Sequence, residues 1–125
     1  MGLLDGLMGN ASEVSLDKLQ KEFSMVLVEG ERLEIAFKVI RDMFVFTNKR
    51  LILVEKQGLT GSKAEYLSVP YRSITKFSKE SAGLLDLDAE LKIWITGQPE
   101  PIRKEFKKDN NINVVYQLLS THILK

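Results

Sequence analysis

The sequence predicts a mainly β domain with some helix: a seven-stranded, strongly bent antiparallel sheet or partly open barrel, capped by a C-terminal α-helix, with short N-terminal helices. Three observations predict it. Short apolar runs with two-residue alternation recur from residue 32 to residue 106, separated by turn residues and with no helical period between them; strands in that arrangement pair antiparallel. From about residue 110 the period lengthens, and Ile112, Val115, Tyr116, Leu119 and Ile123 fall on one face of a helix. Between these regions lies Asp42-Met-Phe-Val-Phe-Thr-Asn-Lys-Arg-Leu-Ile-Leu-Val-Glu, a hairpin apolar on both sides.

The hairpin follows residue by residue. Asn48-Lys49 forms the two-residue turn, because asparagine accepts the backbone geometry such turns need. It sets Phe46 opposite Leu51, Val45 opposite Ile52, Phe44 opposite Leu53 and Met43 opposite Val54. Alternation then gives one face of Phe44, Phe46, Leu51 and Leu53, and another of Met43, Val45, Ile52 and Val54. A sheet with one wet face should carry polar residues at alternate positions. Here neither face does, so a helix, the N-terminal arm or a neighbouring subunit must cover the second one.

The remaining elements flank this centre. Residues 1–12 are an apolar arm, with Leu3, Leu4, Leu7 and Met8 at helical spacing and Gly2, Gly6 and Gly9 weakening it. Residues 13–125 form the domain. Residues 10–22 read as a short helix, with Ser15 as its cap and Leu16, Leu19 and Phe23 on one side. An apolar run at 25–28 and a turn at 29–31 follow. Residues 32–41 alternate as the first long strand, Leu33, Ile35, Phe37 and Val39 facing one way. Residues 57–62 are a turn and 65–69 a short strand. Pro70 marks an edge or corner, since it has no N–H for a ladder. Residues 71–79 form a strand anchored by Ile74 and Phe77, with room for a bend between them. Leu87, Ala89, Leu91, Ile93 and Ile95 alternate with polar neighbours in the clearest half-buried strand. Residues 97–101 turn, 102–106 are the last strand, and Asn110 or Asn111 caps the final helix.

Composition narrows the function. The chain has 125 residues, 44% hydrophobic and 28% charged, with a formal net charge of +1. That is one ordinary globular domain with no overall field for nucleic acid. Residues 1–37 hold seven acids against three bases and residues 38–125 ten against fifteen, an asymmetry that suits head-to-tail contacts between copies. There is no cysteine, which removes disulfides, thiolate metal sites and thiol nucleophiles and fits a cytoplasmic setting. The first residues lack a basic region and a long apolar run, so no signal peptide is expected. Gly2 fits a myristoylation start, but Gly6 stands where Ser or Thr belongs.

No constellation carries chemistry, and neither an enzyme nor a cofactor is expected. His122, the only histidine, has no nucleophile or ligand partner in the pattern and suits the end of the last helix. Asp86, Asp88 and Glu90 share a strand face but lack a calcium loop. Gly58 to Gly61 lacks the lysine and following helix of a phosphate loop. Arg103, Lys104, Lys107 and Lys108 form the strongest basic cluster, read as a charged edge strand or an anion-docking patch.

The stretches Phe44-Val-Phe-Thr-Asn-Lys-Arg-Leu-Ile-Leu and Val69-Pro-Tyr-Arg-Ser-Ile-Thr-Lys-Phe resemble the bacterial pleckstrin-homology-like domain family. The order of seven strands and a C-terminal helix fits it too, over roughly residue 17 to the end. The resemblance implies a pleckstrin-homology-like barrel and a closed ring of identical subunits, a pentamer, in which adjacent sheets meet. It also implies a hydrophilic surface at that junction for another protein. Phosphoinositide binding, which relatives of the fold achieve with basic loop residues, finds only Lys38 and Arg41 here, beside Asp42. The expected function is therefore a non-enzymatic oligomeric scaffold. Met43, Val45, Ile52 and Val54 are the expected assembly face, and Arg72, Lys76 and Trp94 the partner surface. The alternative is a peripheral membrane adaptor using the arm and the basic cluster.

Overall fold

The computed structural model describes residues 11–13, 15–39, 42–57, 63–80, 89–106 and 111–124. These residues hold eight strands: β1 (Ala11–Glu13), β2 (Leu33–Val39), β3 (Asp42–Thr47), β4 (Arg50–Gln57), β5 (Lys63–Pro70), β6 (Ile74–Glu80), β7 (Ala89–Ile95) and β8 (Ile102–Phe106). Helix α1 spans Leu16–Glu22, a 3-10 turn Tyr71–Ser73, and helix α2 Asn111–Ile123. The strands form two sheets rather than one closed barrel: five strands in the order β1-β2-β3-β4-β5, of which β2 to β5 pair antiparallel, and three antiparallel strands in the order β6-β7-β8. Two compact units divide the chain after Pro70.

In the first unit the hairpin register is the one the sequence predicts, with Met43 on Val54, Phe44 on Leu53, Val45 on Ile52 and Phe46 on Leu51. Both faces are buried. Phe37, Phe44, Phe46, Leu51 and Leu53 are at most 1% exposed on one side. On the other, Val45, Ile52 and Val54 cluster with Leu19 and Phe23, and Leu16, Val26 and Leu27 pack around them. The cover is thus the chain's own α1 and the segment after it.

Three local expectations change. The predicted helix at 10–22 is shorter, because residues 11–13 are extended and α1 begins at Leu16. Ser15 precedes it in extended conformation but makes no capping bond from its side chain. Leu33 does not share a face with Ile35 and Phe37. The β2–β3 register shifts between Leu33 and Ile35, and such an extra residue moves the side chains before it to the opposite face. Leu33 therefore joins Ala36, Val45 and Ile52 beneath α1.

In the second unit the bend expected after Ile74 is a register shift between Ile74 and Lys76. Gly97, at φ 82°, makes the turn after β7, a backbone geometry that costs glycine little. Helix α2 lies on β6, β7 and the 3-10 turn. Ile112, Val115 and Leu119 are buried, and Tyr116 meets Phe77 edge-on at 5.1 Å. Lys79 donates to Asn113 and stands over the Tyr116 ring.

Candidate interaction surfaces

The expected assembly face is not a surface. Val45, Ile52 and Val54 are at most 1% exposed within a single chain, and Met43 is half-buried against the same cluster. The reason is α1: its Leu19 and, just past its end, Phe23 fill the space the sequence left to several candidates.

The first sheet offers its end strand instead. Among the described residues no strand of the same chain lies beyond β5. Six of its eight side chains are exposed, Tyr66 and Leu67 among them. These two point to opposite faces, since neighbours in a strand alternate. Tyr66 rests edge-on against Phe23 at 5.6 Å.

The turn end of this sheet carries a polar clamp. Glu31 is buried, and its carboxylate accepts from Arg50 Nε at 2.8 Å and Arg50 Nη2 at 2.9 Å. It also accepts from Thr47 Oγ1 at 2.7 Å and from the Val28 N–H at 3.0 Å. Arg50 further donates to the Val26 carbonyl at 2.7 Å and to Ser68 Oγ at 2.8 Å. Burial raises the Glu31 pKa, but the hydrogen bonds from Arg50, Thr47 and Val28, with the Arg50 charge, outweigh it and leave it lowered. Asn48 completes the clamp: its Oδ1 accepts from the Arg32 N–H at 2.7 Å and its Nδ2 donates to the Gly30 carbonyl at 3.0 Å. The clamp pins residues 26–32 to the hairpin turn. At its tip Met25 is 94% and Val28 57% exposed.

Sequence reasoning misses this clamp. Its members stand 16 and 19 positions apart, so neither spacing nor period links them. The available signal was the polar Thr47-Asn-Lys-Arg closing an otherwise apolar hairpin.

The second sheet has a patterned outer face. Glu80, Glu90 and Glu105 stand side by side across three strands, and Ser78, Lys92 and Arg103 form the next row. Like charges directly opposite one another repel, and Glu90 is offset by Lys92 at 3.8 Å and Arg103 at 3.6 Å. The third row pairs Lys76 with Trp94, and the Lys76 ammonium stands 4.7 Å from the ring centre, a cation–π contact. Two of the three expected partner residues are thus brought together. Arg72 is exposed on the 3-10 turn.

Of the other candidates, His122 stacks on Tyr71 with ring centres 4.2 Å apart, a packing role. Residues 1–10 of the arm, Arg41, Asp86, Asp88, Lys107, Lys108 and the glycine turn at 58–62 lie outside the described residues. Among the described residues no group of three or more His, Cys, Asp or Glu could hold a metal ion. No described helix is long and apolar enough to cross a membrane.

Comparison with known proteins places this geometry. The family model described as bacterial PH domain matches residues 2–123. The "uncharacterized protein YjqA" of Bacillus subtilis is 54% identical over 121 residues, covering 96% of this chain and 97% of that protein. A crystal structure of a pleckstrin homology domain from Shewanella amazonensis is 51% identical with TM-score 0.85, covering 99% of this chain and 100% of that one. A crystal structure of a DUF1696 family protein with a pleckstrin-homology domain, from Shewanella loihica, is 51% identical with TM-score 0.81 over 92% and 98% of the chains.

Proposed function

The chain belongs to the bacterial PH domain family, and on that premise we propose that it is a non-enzymatic cytoplasmic scaffold. Copies assemble head to tail into a closed ring, a pentamer, and a polar surface between protomers receives another protein. The observation that carries this reading is β5, an eight-residue end strand with six side chains exposed and no strand of its own chain beyond it among the described residues. Free strand edges are normally blunted, because they invite pairing with another chain. Here Lys63, Glu65 and Pro70 guard its two ends, but Tyr66 and Leu67 remain exposed at its centre. A heterologous contact that closes on itself gives a ring and leaves no edge open. The partner surface in this reading is Arg72, Lys76 and Trp94, where a cation and an aromatic ring are already paired; Trp and Arg are common anchors in protein interfaces.

Light scattering tests it. The expected result at micromolar concentration is one species several times the 14.2 kDa chain mass. Leu67→Lys, which sets a charge on the exposed edge, should lower that mass. A clean monomer for the unaltered protein overturns the reading.

A further inference from the structure

We propose that the apolar tip of residues 24–29 in one copy seats in a hollow between α1 and the first sheet of a second copy. This rests on the assembly reading above and names a contact within it.

The tip is unusual in being both apolar and held in place. Met25 is 94% exposed and Val28 57%, yet the backbone beside them is tied down. Arg50 binds the Val26 carbonyl and Glu31 the Val28 N–H. A pair of residues ordered before binding loses little freedom on docking. Methionine also adapts to an irregular apolar socket.

The same unit contains a hollow that is apolar in part. A partly open hollow of about 290 Å³ is lined by Lys18, Leu19, Glu22, Lys38, Asp42, Met43 and Lys56. Leu19 and Met43 give it apolar wall, and charged side chains give it a rim. An apolar cavity of about 150 Å³ admits benzene, so the hollow has room for a methionine thioether. Charge agrees as well. The rim carries three lysines against two carboxylates, while the only charged side chain of the tip is the exposed Glu29.

The tip does not fill its own hollow, as the exposure of Met25 shows. Its anchors, Val26 and Gly30, sit at the turn end of β3 and β4. Met43 and Lys56 lie toward the opposite end of those strands. Two different patches on one unit make a head-to-tail contact, the kind that generates rings.

The absence of cysteine allows a direct test. Met25→Cys chains mixed with Lys56→Cys chains should be joined into dimers by a short bis-maleimide, whereas neither variant alone should be. Met25→Asp, at a site too exposed to disturb folding, should lower the mass by light scattering toward that of one chain without changing the melting temperature. If the unaltered protein is oligomeric while the mixture does not cross-link and Met25→Asp keeps its mass, this contact is wrong and the assembly reading stands. If Met25→Asp keeps its mass but loses retention on anionic vesicles, the tip meets a lipid surface and the proposal fails. A monomeric unaltered protein removes both.

Discussion

Glu31 shows most sharply what single residues contribute. Its side chain is fully buried and meets two guanidinium nitrogens of Arg50, whose side chain is only 20% exposed. Removing one member of such a buried pair costs about 3 kcal/mol or more, because the other is left buried without compensation. Glu31→Ala should therefore lower the urea midpoint by that equivalent. Arg50→Ala should do likewise, and the double variant should lose less than the sum. The sign of the pH effect follows from the lowered Glu31 pKa. An unfolded chain binds that proton more readily, so the clamp contributes fully above the usual value of 4.5. Its contribution drains away as pH falls below 4.5 through the lower folded value. Melting curves at descending pH should show this loss in the unaltered protein and a weaker one in Glu31→Gln. Nothing in the sequence joins Glu31 to Arg50, since a link across 19 positions depends on where the fold brings the chain back. Asn48 was half legible: its turn was predicted, its two bonds to Gly30 and Arg32 were not.

At the scale of elements, α1 decides whether the hairpin's second face is core or interface. Leu19 is 2% and Phe23 0% exposed, and both sit in the cluster with Val45, Ile52 and Val54. Leu19→Ala should cost about 3 kcal/mol, within the range for a buried leucine, and Phe23→Ala about 4 kcal/mol. Chemical unfolding of the two variants checks both values. Small losses would mean that α1 does not cover this face in solution and would return Val45 and Ile52 to the list of assembly residues. The hairpin register could be read directly, because the two-residue Asn48-Lys49 turn fixes which residues stand opposite one another. Two features resisted. The bulge that turns Leu33 inward inserts an extra residue without any glycine to mark it. The start of α1 was hidden because Ala11-Ser-Glu carries neither a strand period nor a stop. That α1 would lie over the hairpin was only one of three options, since an apolar stripe indicates that it is covered but not by what.

For the whole molecule, the same ambiguity explains why strands and helix were legible while the site was not. Apolar periodicity reports burial, and burial by the chain itself reads the same as burial by a neighbour. Only the placement of α1 separated them and moved the candidate assembly surface to β5 and the Met25 tip. The surfaces that remain predict a division of labour: the contact between copies through the first unit, and partner binding through the outer face of the second sheet at the margin of that contact. Trp94 can test it, because it is the only tryptophan and lies half-buried on that outer face beside Lys76. Dilution of the assembled protein through its dissociation range should lower the mass by light scattering while leaving the Trp94 emission maximum in place. Lys76→Ala should shift the emission by freeing the ring from its cation, yet keep the mass. Emission that moved in step with mass would put Trp94 inside the contact between copies. The partner would then have to find its anchors elsewhere, and the division between the two surfaces would not hold.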